Sequence, residues 1–186
     1  MQKNKCCIVV LFVLVFFPAG IAYGQVLDGW ITAKGHFCTL YIGEDVDIKQ
    51  LNRRIDTYRV DFGLSERPLR LTSAPESEIL YKFDLVFLKV QELLDMRPGD
   101  IHVDVRIYRR KKELDKLYVE IFSERGDLVA FYVFKLNTIF ACEEKISVAV
   151  VAHEVAHCII DHHFTVAPPK KIAEMIAHYA ERHLRG

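Results

Sequence analysis

The chain has 186 residues, of which 51% are hydrophobic, and 25 lysines and arginines balance 25 aspartates and glutamates. That length fits one domain with a sizeable core. The even charge offers no footing for a polyanion, and Arg109 to Lys112, a short basic run, reads as a solvated helix start rather than a nucleic-acid patch.

In chain order, residues 1–24 read as an export leader. Lys3 and Lys5 make a positive start, Ile8 to Phe17 an apolar core, and Ala22-Tyr23-Gly24 sets small residues ahead of Gln25. Pro18 and Gly20 interrupt the apolar run, which falls short of the roughly 20 residues of a membrane span. Cys6 and Cys7 precede the apolar stretch, which argues against a lipoprotein. Removing Lys3 and Lys5 leaves 23 basic residues against 25 acidic, a net charge of −2 on residues 25–186. The expected location is the periplasm or the exterior, with no stable membrane association after cleavage; a retained leader would instead anchor the chain. Of the cysteines beyond the leader, Cys38, Cys142 and Cys158, one pair could oxidise after export, and the sequence does not choose the pairing.

Trp30 to Ile42 reads as a first strand, with Phe37, Thr39 and Tyr41 alternating against Cys38, Leu40 and Ile42. Gly43-Glu44-Asp45 turns the chain into a helix over Asp47 to Tyr58, and Ser65 to Pro75, which holds Pro68 and Pro75, is a loop. Glu76 to Met96 carries apolar residues at three- and four-residue intervals and ends at Arg97-Pro98-Gly99, a long amphipathic helix. Ile101 to Tyr108 alternates as a half-buried strand with His102 on its polar, solvated side. Lys111 to Phe122 follows as a helix and Leu128 to Leu136 as a strand. Asn137-Thr138 breaks that strand before Ile139-Phe140-Ala141 resumes it. The mixture, closing on two helices, predicts an α+β domain over residues 25–186 with a small mixed sheet.

Ser147 to Ile160 is apolar nearly all round, so that helix is expected to be buried. Its stripe of Ile146 and Val150 continues as His153, His157 and Asp161. In a helix His153 and His157 lie one turn apart, about 40° around the axis, so both rings can converge on one cation. Glu154 lies about 100° further round and is placed to act on water beside that cation. Cys158 points away from the histidine face and reads as core or half of a disulfide. The bland alternative is two satisfied core histidines with Glu154 a chance neighbour.

Asp161 to Ala167 is expected to leave the helix, and Pro168-Pro169 to restart one. Glu174 comes one to two turns into this second helix, and antiparallel packing over a short connection would return it to the histidines. A His153, His157 and Glu174 set with an open fourth position suits catalytic zinc. Alternatively Glu174 is a solvated carboxylate offsetting a helix N-terminus. Asp161, one turn past His157, either orients a ligand histidine or ends its helix.

His153-Glu154-x-x-His157 followed by Glu174-x-x-Ala177-x-Tyr179 resembles the gluzincin metallopeptidases, which include thermolysin and the aminopeptidases, and is especially similar to their small bacterial members. The match covers about Leu128 to Leu184, and Met175 stands where the larger aminopeptidases commonly place glycine, so their substrate contacts are not carried over. The resemblance implies a zincin-like domain in which one Zn2+ is held by His153, His157 and Glu174, with Glu154 as general base in peptide-bond hydrolysis. It also implies an active-site edge strand, either Ala130 to Phe134 or Asn137 to Ala141, along which a peptide or protein substrate lies. The oxyanion needs a further donor, for which His162, His163, His178 and Tyr179 are candidates, Tyr179 doubling as a packing residue. The reading is an exported zinc peptidase; its rival is a catalytically inactive, zinc-containing periplasmic binding or structural module.

Overall fold

The computed structural model describes residues 29–57 and 74–185. The leader, Tyr58 at the end of the expected first helix, and Ser65 to Ser73 of the expected loop lie outside the described residues. The domain is α+β, a five-stranded mixed sheet with five α-helices among the described residues.

The expected first strand is two. Strands β1 (Trp30–Lys34) and β2 (Cys38–Gly43) pair antiparallel, Trp30 opposite Gly43 and Lys34 opposite Thr39. The alternation runs on through Phe37, but Gly35 turns the chain, its N–H donating to the Cys38 carbonyl at 2.8 Å. Side-chain period alone cannot separate one long strand from two joined by a tight turn. Gly35 is required by packing: a Cβ there would fall 2.7 Å from the Asp84 carboxylate and 2.8 Å from Leu80. Asp84 accepts the backbone N–H groups of His36 (3.1 Å) and Phe37 (3.0 Å), tying the hairpin to the helix above it.

Helix α1 (Ile48–Arg54) begins at Asp47, whose carboxylate accepts the Gln50 N–H, and stops at Ile55, short of the expected end. Helix α2 (Pro75–Leu94) has proline in its first turn and buries Ile79, Phe83, Val86, Phe87 and Val90. Strand β3 (Val103–Tyr108) lies parallel to β2 and, on its other side, parallel to β5 (Thr138–Cys142). His102 precedes β3, and its ring contacts the Thr39 hydroxyl (2.9 Å) and the His36 carbonyl (3.1 Å).

After helix α3 (Lys111–Phe122), the expected strand from Leu128 narrows to β4 (Ala130–Val133) and tightens into a 3-10 turn at Phe134–Leu136. Asn137 then takes a left-handed conformation, φ 48°, which asparagine tolerates better than most residues. Its side chain donates to the His102 carbonyl at 2.7 Å, so the chain reverses and β5 pairs antiparallel with β4. The sheet order is β1-β2-β3-β5-β4, which leaves β4 at an edge.

Strand β5 is buried on both faces. Ile139 and Ala141 join the main core beneath α2 and helix α4 (Val148–His163), whereas Phe140 and Cys142 join a smaller core with Leu114 and Phe131 beneath α3. Cys38, Cys142 and Cys158 are all free thiols and all buried.

Candidate metal centre

Helix α4 starts where Ser147 accepts the Val150 N–H, and it buries ten of its side chains, Val148 to Ile160, as the apolar run requires. It continues one turn further than expected: Asp161, His162 and His163 are still helical. The next helix, α5 (Lys170–His183), begins directly after Pro169. Both His153 and His157 meet Glu174, whereas only His153 also meets Glu181, so chain order along α5 opposes that along α4 and the helices pack antiparallel.

That packing gathers three ligating atoms. The two Nε2 atoms of His153 and His157 are 3.2 Å apart, and Glu174 Oε2 lies 3.6 Å from each. A tetrahedral ion about 2.1 Å from each ligand sets ligand–ligand separations of about 3.4 Å, so the triangle has the size of one face of a zinc site. The chemistry of the set agrees with its size. Two imidazole lone pairs this close, with a carboxylate beside them, repel unless a proton or a cation lies between them. Burial, reinforced by positive charge on neighbouring histidines, lowers the pKa of both rings despite the opposing pull of Glu174. They are therefore held in the neutral form that binds metal.

Glu154 is almost wholly buried, and burial raises its pKa to about 8, with the charges of Glu174 and Glu181 adding to the rise. One hydrogen bond works the other way, from the backbone N–H of Tyr132 on β4. The strand pairing shows why that N–H is available. Cys142 donates to the Val129 carbonyl (3.0 Å), so bonded pairs alternate from there, and Tyr132, opposite Ile139, falls on a non-bonded pair. The N–H and C=O of Ala130 and Tyr132 therefore point away from β5, and the buried carboxylate sits against that unpaired edge. Of the two stretches expected to form the edge strand, it is Ala130 to Val133; Thr138 to Cys142 lies inside the sheet.

The five auxiliary residues separate. His178 is brought to the cluster, its ring centroid 4.8 Å from that of His153. His162 instead bonds through Nδ1 to the Cys158 carbonyl (2.8 Å), and exposed His163 packs edge-on against Phe164. Tyr179 packs with its ring tilted against His183 and lines a groove of about 870 Å³ with Leu93, Met96 and Met175, between α5 and the end of α2. Asp161 does not end the helix, which runs on to His163. It lies near Tyr132 and His162, and the carboxylate beside the outer nitrogen of His153 is Glu181, whose Oε2 is 3.3 Å from Nδ1. Burial opposes ionisation of Glu181, but hydrogen bonds with His178 and Arg185 outweigh it and keep the carboxyl below its ordinary range.

Glu181 was not among the expected site residues, although Glu174, His178 and Glu181 follow a four-then-three spacing that aligns them on one helix face. No protein-family model, curated protein or solved structure matches this chain.

Proposed function

We propose that the protein is a zinc-dependent peptidase of gluzincin type, with His153, His157 and Glu174 as metal ligands and Glu154 as general base. The observation that carries the proposal is the triangle of 3.2, 3.6 and 3.6 Å with a buried carboxyl beside it, at the terminal strand of the sheet. Zinc bound there supplies Lewis acidity, polarising the scissile carbonyl and activating water for attack. The chain supplies the rest. An extended peptide adds to the outward-facing backbone groups of β4 that Glu154 does not use, the N–H and C=O of Ala130 and the C=O of Tyr132, which fixes its direction without reading its side chains. Glu154 takes the proton of the attacking water and delivers it to the departing amine. Burial keeps this carboxyl basic enough for the first transfer and acidic enough, once protonated, for the second.

Glu154→Gln is expected to retain zinc and to lose about 10²–10⁴-fold in cleavage of a mixed peptide pool; unchanged hydrolysis refutes the assignment. Zinc bound by a wild-type protein that cleaves nothing in such a pool would favour the non-catalytic module. We read residues 1–24 as an export leader, which makes the proposed activity one outside the cytoplasm, and the mass of the exported chain tests both its removal and the anchored alternative.

A further inference from the structure

The outer face of His153 has a partner that the proposed reaction does not use. A neutral imidazole carries one proton, and a metal at Nε2 places that proton on Nδ1. His153 Nδ1 is buried and makes no well-directed hydrogen bond. A buried donor in that condition destabilises the arrangement. Glu181 Oε2, at 3.3 Å, is the carboxylate oxygen within reach of it.

Glu181 is itself held in place. Its Oε2 meets His178 Nδ1 at 2.9 Å and its Oε1 accepts from Arg185 Nη2 at 2.5 Å. The side chain is only 18% exposed, so it is not a drifting surface carboxylate. Seven residues separate it from Glu174, close to two full turns, which brings both acids to the same ring from one face of α5. One helix thus addresses a single imidazole at both nitrogens: Glu174 approaches Nε2 and Glu181 approaches Nδ1.

Resting on the zinc reading above, we propose that Glu181 is the positioning residue of the metal centre. It accepts Nδ1–H of His153, fixes the tautomer that presents Nε2, and sets the affinity for the ion, while His178 and Arg185 steady its carboxylate.

The test titrates zinc against a chromophoric chelator for wild type, Glu181→Ala, Glu181→Gln and His157→Ala. It is paired with melting of the metal-free proteins and with visible spectra of the cobalt-loaded ones. Glu181→Ala is expected to bind zinc about 10–100-fold more weakly, with Glu181→Gln between it and wild type. The cobalt bands should shift at saturation, because ligand-field absorption follows the direction of the His153 lone pair; a merely structural role would lower the metal-free melting point and leave those bands in place. Wild-type affinity and an unaltered cobalt spectrum in both variants overturn the inference, and should the alanine variant fail to fold, the glutamine variant decides alone. Loss of zinc in His157→Ala together with unaffected Glu181 variants overturns the role of Glu181 and leaves the metal site standing. A wild type that takes up no zinc overturns both.

Discussion

Replacing Glu154 by glutamine should change how the stability of the metal-free protein depends on pH. In the folded state burial raises this carboxyl from 4.5 to about 8. The unfolded chain releases its proton near 4.5 and the folded chain does not, so wild-type stability falls as pH rises from there through 8. Between roughly pH 6 and pH 8 that loss comes to about 2 kcal/mol, and glutamine, with no proton to release, escapes it. The two histidines act in the opposite sense near pH 6, because their folded pKa values are lowered. They are common to both proteins and cancel in the difference. Urea unfolding in excess EDTA at several pH values in this range supplies the measurement. The gap between variant and wild type should widen by about 2 kcal/mol toward pH 8. Parallel curves would show that Glu154 is not desolvated as described, and would remove the reason for its basicity in the proposed reaction.

Glu174→Ala should abolish tight zinc binding while leaving the fold intact, since its side chain is 39% exposed; undiminished metal content would point to another third ligand. Asp84→Ala deprives the His36 and Phe37 amides of their acceptor and should lower unfolding stability by about 1.5–3 kcal/mol, read from the urea midpoint. Asn137→Ala forces a β-carbon into left-handed backbone and removes the bond to the His102 carbonyl, a combined loss of about 2–3 kcal/mol. Asn137→Gly should recover the backbone part of that loss and none of the hydrogen bond. Phe87→Ala, at a fully buried ring stacked 5.5 Å from Phe37, should lose about 3–5 kcal/mol.

Most of this fold is legible where one physical signal dominates. Helices α2 and α4 follow from apolar spacing and β3 from alternation, because burial on one face or nearly all faces leaves a regular imprint on the sequence. The β1–β2 hairpin was hidden because its alternation continues across the turn, and only Gly35 betrays the break. The metal-ligand candidates His153, His157 and Glu174 are legible because helical geometry converts spacing directly into proximity. Tyr132 was not, since its outward amide depends on which residue of β4 faces which residue of β5, a phase that no local pattern records. Asp161 draws attention because it lies one turn past His157, whereas Glu181 is far from both histidines in sequence. Packing of α5 against α4 reverses that order, and the distant carboxylate ends up beside the ring.

A strand edge proposed to take a guest peptide could equally pair with a sister copy of the chain at high concentration. Here the unpaired ladder is only four residues long, and the 3-10 turn at Phe134–Leu136 curls the backbone out of extended form immediately afterwards. A long foreign strand therefore finds no continuous template to zip along. Brevity makes the same edge usable for transient capture and poor as a seed for runaway stacking.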